Sequence, residues 1–345
     1  MSEASVGRAS PDRETFLKDL NKATQFIRPV QLIDWLTVRN ETLVNLGLPA
    51  QPDRETEPLA WALWHEFFTP ELELIEGGFT FSAIATEFRH YRETVVPYAS
   101  RDETSSNWSG AYVMPDRGRR FKEIYGIWKV PAVTPPAQGP ASPSDTYHSS
   151  IFIGLDGQRR NAADSLPQIG TRQDIDATGT HYETWWEWFA RGQGNWPTQT
   201  PLQVAAGQSV MCWLTVISPV KIRFMMRNLD TPFGLVFTHS ARSPISPMGI
   251  PGVTAEWVME RPTGKTGDME RLPEYDDFSF HQCIAVADGQ NTGRKYHDLT
   301  AARLIRMIER RYPPSRGTLI SLPARILKKP FVEKTSFKMS YRSGM

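Results

Sequence analysis

The stretch Tyr182, Glu183, Thr184, Trp185, Trp186, Glu187, Trp188, Phe189 decides the fold. Side chains of a strand alternate between its two faces, so Glu183, Trp185, Glu187 and Phe189 share one side while Tyr182, Thr184, Trp186 and Trp188 share the other. Trp186 and Trp188 are expected to fill a core between two sheets. Two carboxylates beside an indole on the opposite, wet face describe a polar cleft with an aromatic floor. A strand with a merely solvated outer face and one exposed Trp is the competing reading. Ala255, Glu256, Trp257, Val258, Met259, Glu260 has the same character, with Glu256, Val258 and Glu260 on one face and Ala255, Trp257 and Met259 in the core. If the open faces belong to one sheet, up to four carboxylates line one groove, and crowding with partial burial raises a carboxylate's pKa. The commoner fate of a strand Glu is a surface ladder paired with Arg or Lys.

Around these strands the chain reads as mostly β. From about residue 101, short runs rich in Val, Ile, Phe, Tyr, Trp and Thr alternate with Gly, Pro, Asn and Asp clusters, the pattern of an antiparallel sandwich. Further strands are predicted over 121–130, 150–154, 208–217, 222–226, 278–286 and 335–341, with irregular loops over 133–145 and 240–252. Residues 1–100 read as a small α-helical N-terminal region, either propeptide-like or an interaction module, followed by a sandwich domain over 101–345. One helix is predicted from a Ser10 cap and Pro11 to Ile27, ended by Pro29. The run Pro52, Asp53, Arg54, Glu55, Thr56 repeats Pro11, Asp12, Arg13, Glu14, Thr15 and signals a second helix start, although so short a match is more readily chance than duplication.

Composition narrows the partners. Apolar residues make up 40% and charged residues 22% of the 345, which suits a folded globular chain, and the net charge of +1 supplies no field for nucleic acid or an anionic membrane. No apolar run is long enough to span a membrane, and the polar start lacks the order of a secretory signal, which predicts a cytoplasmic or unconventionally secreted protein. Cys212 and Cys283 lie in apolar strand interiors and read as buried thiols. No Gly-x-Ser-x-Gly elbow, His-Glu-x-x-His, phosphate-binding glycine loop or Cys-x-x-Cys is present, so no metal or other cofactor is expected.

Five motifs in order resemble the glutamic peptidases, or eqolisins, of the bacterial type lacking conserved disulfides. Asn107, Trp108, Ser109, Gly110 resembles their Asn-Trp-Ser/Gly-Gly opening, and Phe152, Ile153, Gly154, Leu155, Asp156, Gly157 their Trp-Val-Gly-Ile-Asp-Gly. Gln168, Ile169, Gly170 is similar to the segment carrying their catalytic glutamine, Trp185 to Trp188 to Trp-Tyr-Glu-Trp, and Ala255 to Glu260 to the segment ending in the catalytic glutamate. The resemblance covers roughly residues 105 to 290. It implies a concanavalin-like sandwich of two antiparallel sheets and an endopeptidase acting on polypeptides without metal or covalent intermediate. Glu260 would be the general base and Gln168 the amide that holds the water and donates to the oxyanion. By the same matching Asp156 would orient a catalytic group, and Trp185, Glu187, Glu183, Phe152, Glu256 and Trp108 would line the substrate groove. Phe152 replaces the family's usual Trp, Glu183 its frequent Asp, and Arg172 an Asp of fungal members, with Asp174 close by. Two alternatives stay open: a carbohydrate-binding or glycoside-hydrolysing sandwich, since paired carboxylates and indoles also suit sugars, and an inactive scaffold whose N-terminal helices bury the groove.

Overall fold

The computed structural model describes residues 13–27, 34–81, 96–97, 102–137, 146–158, 165–190, 197–241, 249–264, 269–289, 293–309, 318–328 and 331–342. Two antiparallel sheets dominate. The front sheet runs, in hydrogen-bonded order, Thr198–Gln199, Gly179–Ala190, Ser165–Asp176, Tyr147–Leu155, Ala255–Glu260, Trp108–Val113, Arg303–Glu309. The back sheet runs Phe233–Ser240, Lys221–Asn228, Ser209–Ser218, Arg119–Lys129, Phe278–Gly289. At one end Thr318–Lys328 and Phe331–Tyr341 carry the ladder from one sheet to the other.

Alternation along each strand builds the core. Ile151, Ile153, Ile169, Trp186, Trp188, Ala255, Trp257 and Met259 point back from the front sheet into Trp128, Cys212, Leu214, Phe224, Met226 and Phe237. Burying an indole removes about 150–250 Å² from water, worth roughly 4–6 kcal/mol at most. The core indoles also satisfy their polar ends: Trp257 Nε1 donates to the Tyr125 carbonyl at 2.6 Å and Trp188 Nε1 to Ser165 Oγ at 2.7 Å. Cys212 and Cys283 are free buried thiols in this core, as their apolar settings predict.

A third layer covers the outer face of the back sheet. Helices α2, Asn40–Asn45, and α3, Pro58–Phe67, build it, whereas α1, Arg13–Ala23, packs Phe16, Leu17 and Leu20 against the core between the sheets. Pro58 starts α3 where its missing N–H costs nothing, and Ala60, Leu63, Trp64 and Phe67 form the buried stripe. That stripe, with Trp35, Leu43 and Phe68, meets Tyr125, Met211, Trp213, Met225, Val236, Ile284 and Val286. The Arg227 guanidinium, from the sheet, closes the helix end by donating to the Glu66 and Phe67 carbonyls at 3.2 and 2.6 Å.

The N-terminal region departs from expectation in two places. Its first helix stops at Ala23, because Thr24–Phe26 add an edge strand to Phe237–His239; a sheet edge outcompetes helical periodicity there. The second helix begins at Pro58 rather than Pro52, because Asp53 Oδ1 accepts from the N–H groups of Glu55 and Thr56 at 3.0 and 2.8 Å and closes a turn. The two similar sequences therefore do not make two copies of one unit. Ser10, Pro11 and Pro29, and most of the two predicted loops, lie outside the described residues.

Candidate active site

Cross-strand register turns the front face into a grid of three rows. One row reads Tyr112, Glu256, Gly154, Gln168, Glu187; the next reads Gly110, Val258, Phe152, Gly170, Trp185; the third reads Trp108, Glu260, Ser150, Arg172, Glu183. Directly opposed residues of antiparallel strands share a face, so Gln168 and Glu260 project from the same side of one sheet, two strands apart, with the aromatic row between them. Of the residues singled out in the sequence, Glu256, Glu187, Phe152, Trp185, Trp108 and Glu183 are all in this grid. Glycine permits the close approach of its strands: a Cβ on Gly170 would lie 1.9 Å from the Ile151 carbonyl oxygen, and one on Gly154 2.7 Å from Leu166.

The floor is aromatic, as the alternation predicts. Trp108 meets Phe152 edge-on with centroids 5.6 Å apart, and Phe152 meets Trp185 at 5.9 Å. The face is not wet, however. Gln168 and Glu260 are 0% exposed, Trp185 1% and Glu187 3%; Glu183 is half-buried. Helices α2 and α3 do not cause this closure, because their apolar residues pack on the far side of the back sheet.

Each member of the pair is held by neighbours. Asn107 Nδ2 and Trp108 Nε1 both donate to Glu260 Oε1, at 3.1 and 2.9 Å. Two N–H donors converging on one oxygen favour a carboxylate acceptor, and this gives the Asn-Trp motif a physical purpose. Asn107 was legible in that motif yet went unrecognised as a site residue. Gln168 Nε2 donates to Glu187 Oε2 at 3.1 Å, which makes Glu187 the partner of the amide as well as a wall of the groove. Burial pushes the Glu187 carboxyl well above the usual range, against opposing pulls from the Gln168 amide and the Arg172 charge.

Asp156 and Glu256 form a second carboxyl pair at the other end of the first row. Asp156 lies past the end of its strand at φ 69° and accepts from the N–H groups of Gly252 and Val253, at 2.9 and 2.6 Å. It anchors the segment that enters Ala255–Glu260. Burial raises its pKa to about 6, although the backbone donors pull it down. Glu256 is pushed well above the usual range by burial first and then by the Asp156 charge. It accepts from the Gly157 N–H and from Thr254 Oγ1.

The profile of the Peptidase A4 family matches residues 106–312. Among solved structures, scytalido-glutamic peptidase with a peptide-based transition-state analogue is 19% identical, over 69% of this chain and 98% of that one, at a TM-score of 0.50. The same enzyme with a transition-state analogue inhibitor aligns over the same shares at 18% identity and a TM-score of 0.51. These likenesses show a shared sandwich fold. No curated protein sequence matches the chain.

Proposed function

We propose, from the premise that the chain belongs to the Peptidase A4 family and is a glutamic endopeptidase, that Glu260 and Gln168 carry out the hydrolysis. The observation supporting this assignment is their common face: both project from one side of the front sheet, each fixed by a dedicated partner. Glu260 takes a proton from the attacking water and returns it to the leaving amine. The Gln168 amide nitrogen carries two N–H groups. This amide donates to Glu187 and, with substrate bound, serves the oxyanion that develops on the scissile carbonyl. The upward push that burial gives the Glu187 carboxyl suits this role, because a negative group beside the developing oxyanion would oppose it.

Peptides reach so deeply buried a pair only after the face opens, so turnover includes an opening step. Family membership favours peptide over glycoside hydrolysis. Within residues 1–100, helices α2 and α3 layer the back sheet and α1 packs against the core between the sheets. Cleavage of an internally quenched peptide by the full chain and by Glu260→Gln tests the assignment. Loss of turnover with an unchanged melting temperature is the expected result, and undiminished turnover rejects the assigned base.

A further inference from the structure

Ser150 occupies the third row between Arg172 and Glu260, one strand from each. It is 0% exposed, and its Oγ has no hydrogen-bond partner among the described residues. A buried hydroxyl without a partner weakens folding, and such groups are rare unless something arrives to satisfy them. Its neighbour Arg172, 1% exposed, is fixed by Asp174, whose Oδ2 lies 3.0 Å from the guanidinium and whose Oδ1 lies 2.8 Å from His148 Nδ1. Glu183 stands opposite Arg172 on the other side.

We propose that Ser150, flanked by Arg172, is a substrate-binding residue that donates a hydrogen bond to a main-chain carbonyl oxygen of the bound peptide, within about two residues of the scissile bond, the reach that one strand spacing from Glu260 sets. This deepens the peptidase reading and rests on it. The charge around the hydroxyl selects the ligand. Arg172 is already matched by Asp174, and the carboxyls of Glu183 and Glu260 share its row, so a further anionic group would meet more negative than positive charge. A peptide carbonyl accepts a hydrogen bond without adding charge and is present whatever the side chains of the substrate. An acidic residue seated at this position should accordingly slow cleavage.

The test pairs a variant with altered substrates. Quenched peptides with a single thioamide, whose sulfur accepts hydrogen bonds poorly, at each non-scissile position within two residues of the cut are assayed with the full chain and with Ser150→Ala. On the all-amide peptide Ser150→Ala should lose roughly 3- to 10-fold in kcat/KM, mostly through KM. At one thioamide position the unaltered chain should lose the same factor, and Ser150→Ala should lose nothing more. The melting temperature of Ser150→Ala should equal or exceed that of the unaltered chain, since an unpartnered hydroxyl has been removed. Losses that multiply independently at every position overturn the proposal, as does a lowered melting temperature with unchanged kcat/KM. Turnover that survives Glu260→Gln instead rejects the parent reading.

Discussion

The two outer faces of this sandwich are both shut off from water, and by opposite chemistry. The back face buries Tyr125, Met211, Trp213 and Met225 against the apolar stripe of α3, and an arginine closes the helix end. The front face buries Gln168, Glu187, Glu256, Glu260 and Arg172, and leaves Ser150 Oγ and Glu187 Oε1 without partners among the described residues. Apolar burial stabilises a fold, whereas unpaired polar burial costs stability and persists where it serves another purpose. The back face also leaves Thr215 Oγ1 and Thr238 Oγ1 without partners among the described residues, so it is the clustering of carboxyls and an amide around one aromatic row that marks the front face as chemistry.

The largest effect that could break this contrast is on turnover. Glu260→Gln retains an acceptor oxygen for Asn107 and Trp108 but cannot take a proton, so cleavage should fall about a thousandfold, measured with a quenched peptide beside an unchanged melting curve. A comparable loss of stability would move Glu260 to the structural side.

Next comes a purely structural change on the opposite face. Trp64, 0% exposed in α3, should cost about 3–5 kcal/mol when replaced by Ala, lowering Tm by roughly 10 °C while kcat per folded molecule stays the same. A fall in kcat at a temperature where the variant is fully folded would couple the two faces.

The front carboxyls also predict how stability depends on pH. Asp156 titrates in the folded protein at about 6 rather than its ordinary 3.8, so folding favours its protonated form. Its contribution is complete below 3.8 and is lost as pH rises through 6, about 3 kcal/mol in all; Glu187 and Glu256 act in the same direction. Asp176 works the other way, held down to about 2, but its contribution disappears only as pH falls from 3.8 through 2. Urea midpoints should therefore decline between pH 4 and pH 7, and a midpoint that climbs over that range contradicts the upward shift of these carboxyls.

The smallest effect sharpens the role of Glu187. Glu187→Ala leaves the Gln168 amide without its anchor and should reduce kcat/KM about tenfold, and Glu187→Gln, which keeps an acceptor at that place, should recover most of it. Equal losses in both variants would tie the role to the carboxyl proton rather than to the hydrogen bond.

Legibility in the sequence followed the same division. Ala255–Glu260 was readable to the residue, and Tyr182 to Phe189 lies inside Gly179–Ala190 with each side chain on its expected face. Ser165–Asp176, the strand that carries Gln168, was visible only as a short motif. Its inner side chains interleave Ile169 and Ile175 with Pro167, Thr171 and Gln173, and its outer ones follow Leu166 with Gln168, Gly170, Arg172 and Asp174, so the apolar period on either face is interrupted. Functional residues replaced the pattern that would have announced the strand. Phe233–Ser240, Arg303–Glu309 and Thr318–Lys328 were also missed, their identity as strands being settled by pairing with distant partners.

By itself the sequence determined the alternation of the principal strands, the sandwich class and the family, because these depend on spacing within a few residues or on short motifs. Only the tertiary structure decided that Glu260 accepts from a tryptophan 152 positions away, that Glu187 holds Gln168, and that the groove lies closed. Register between strands far apart in the chain and the exclusion of water set those outcomes, and both arise from the assembled sheets rather than from any local run of residues.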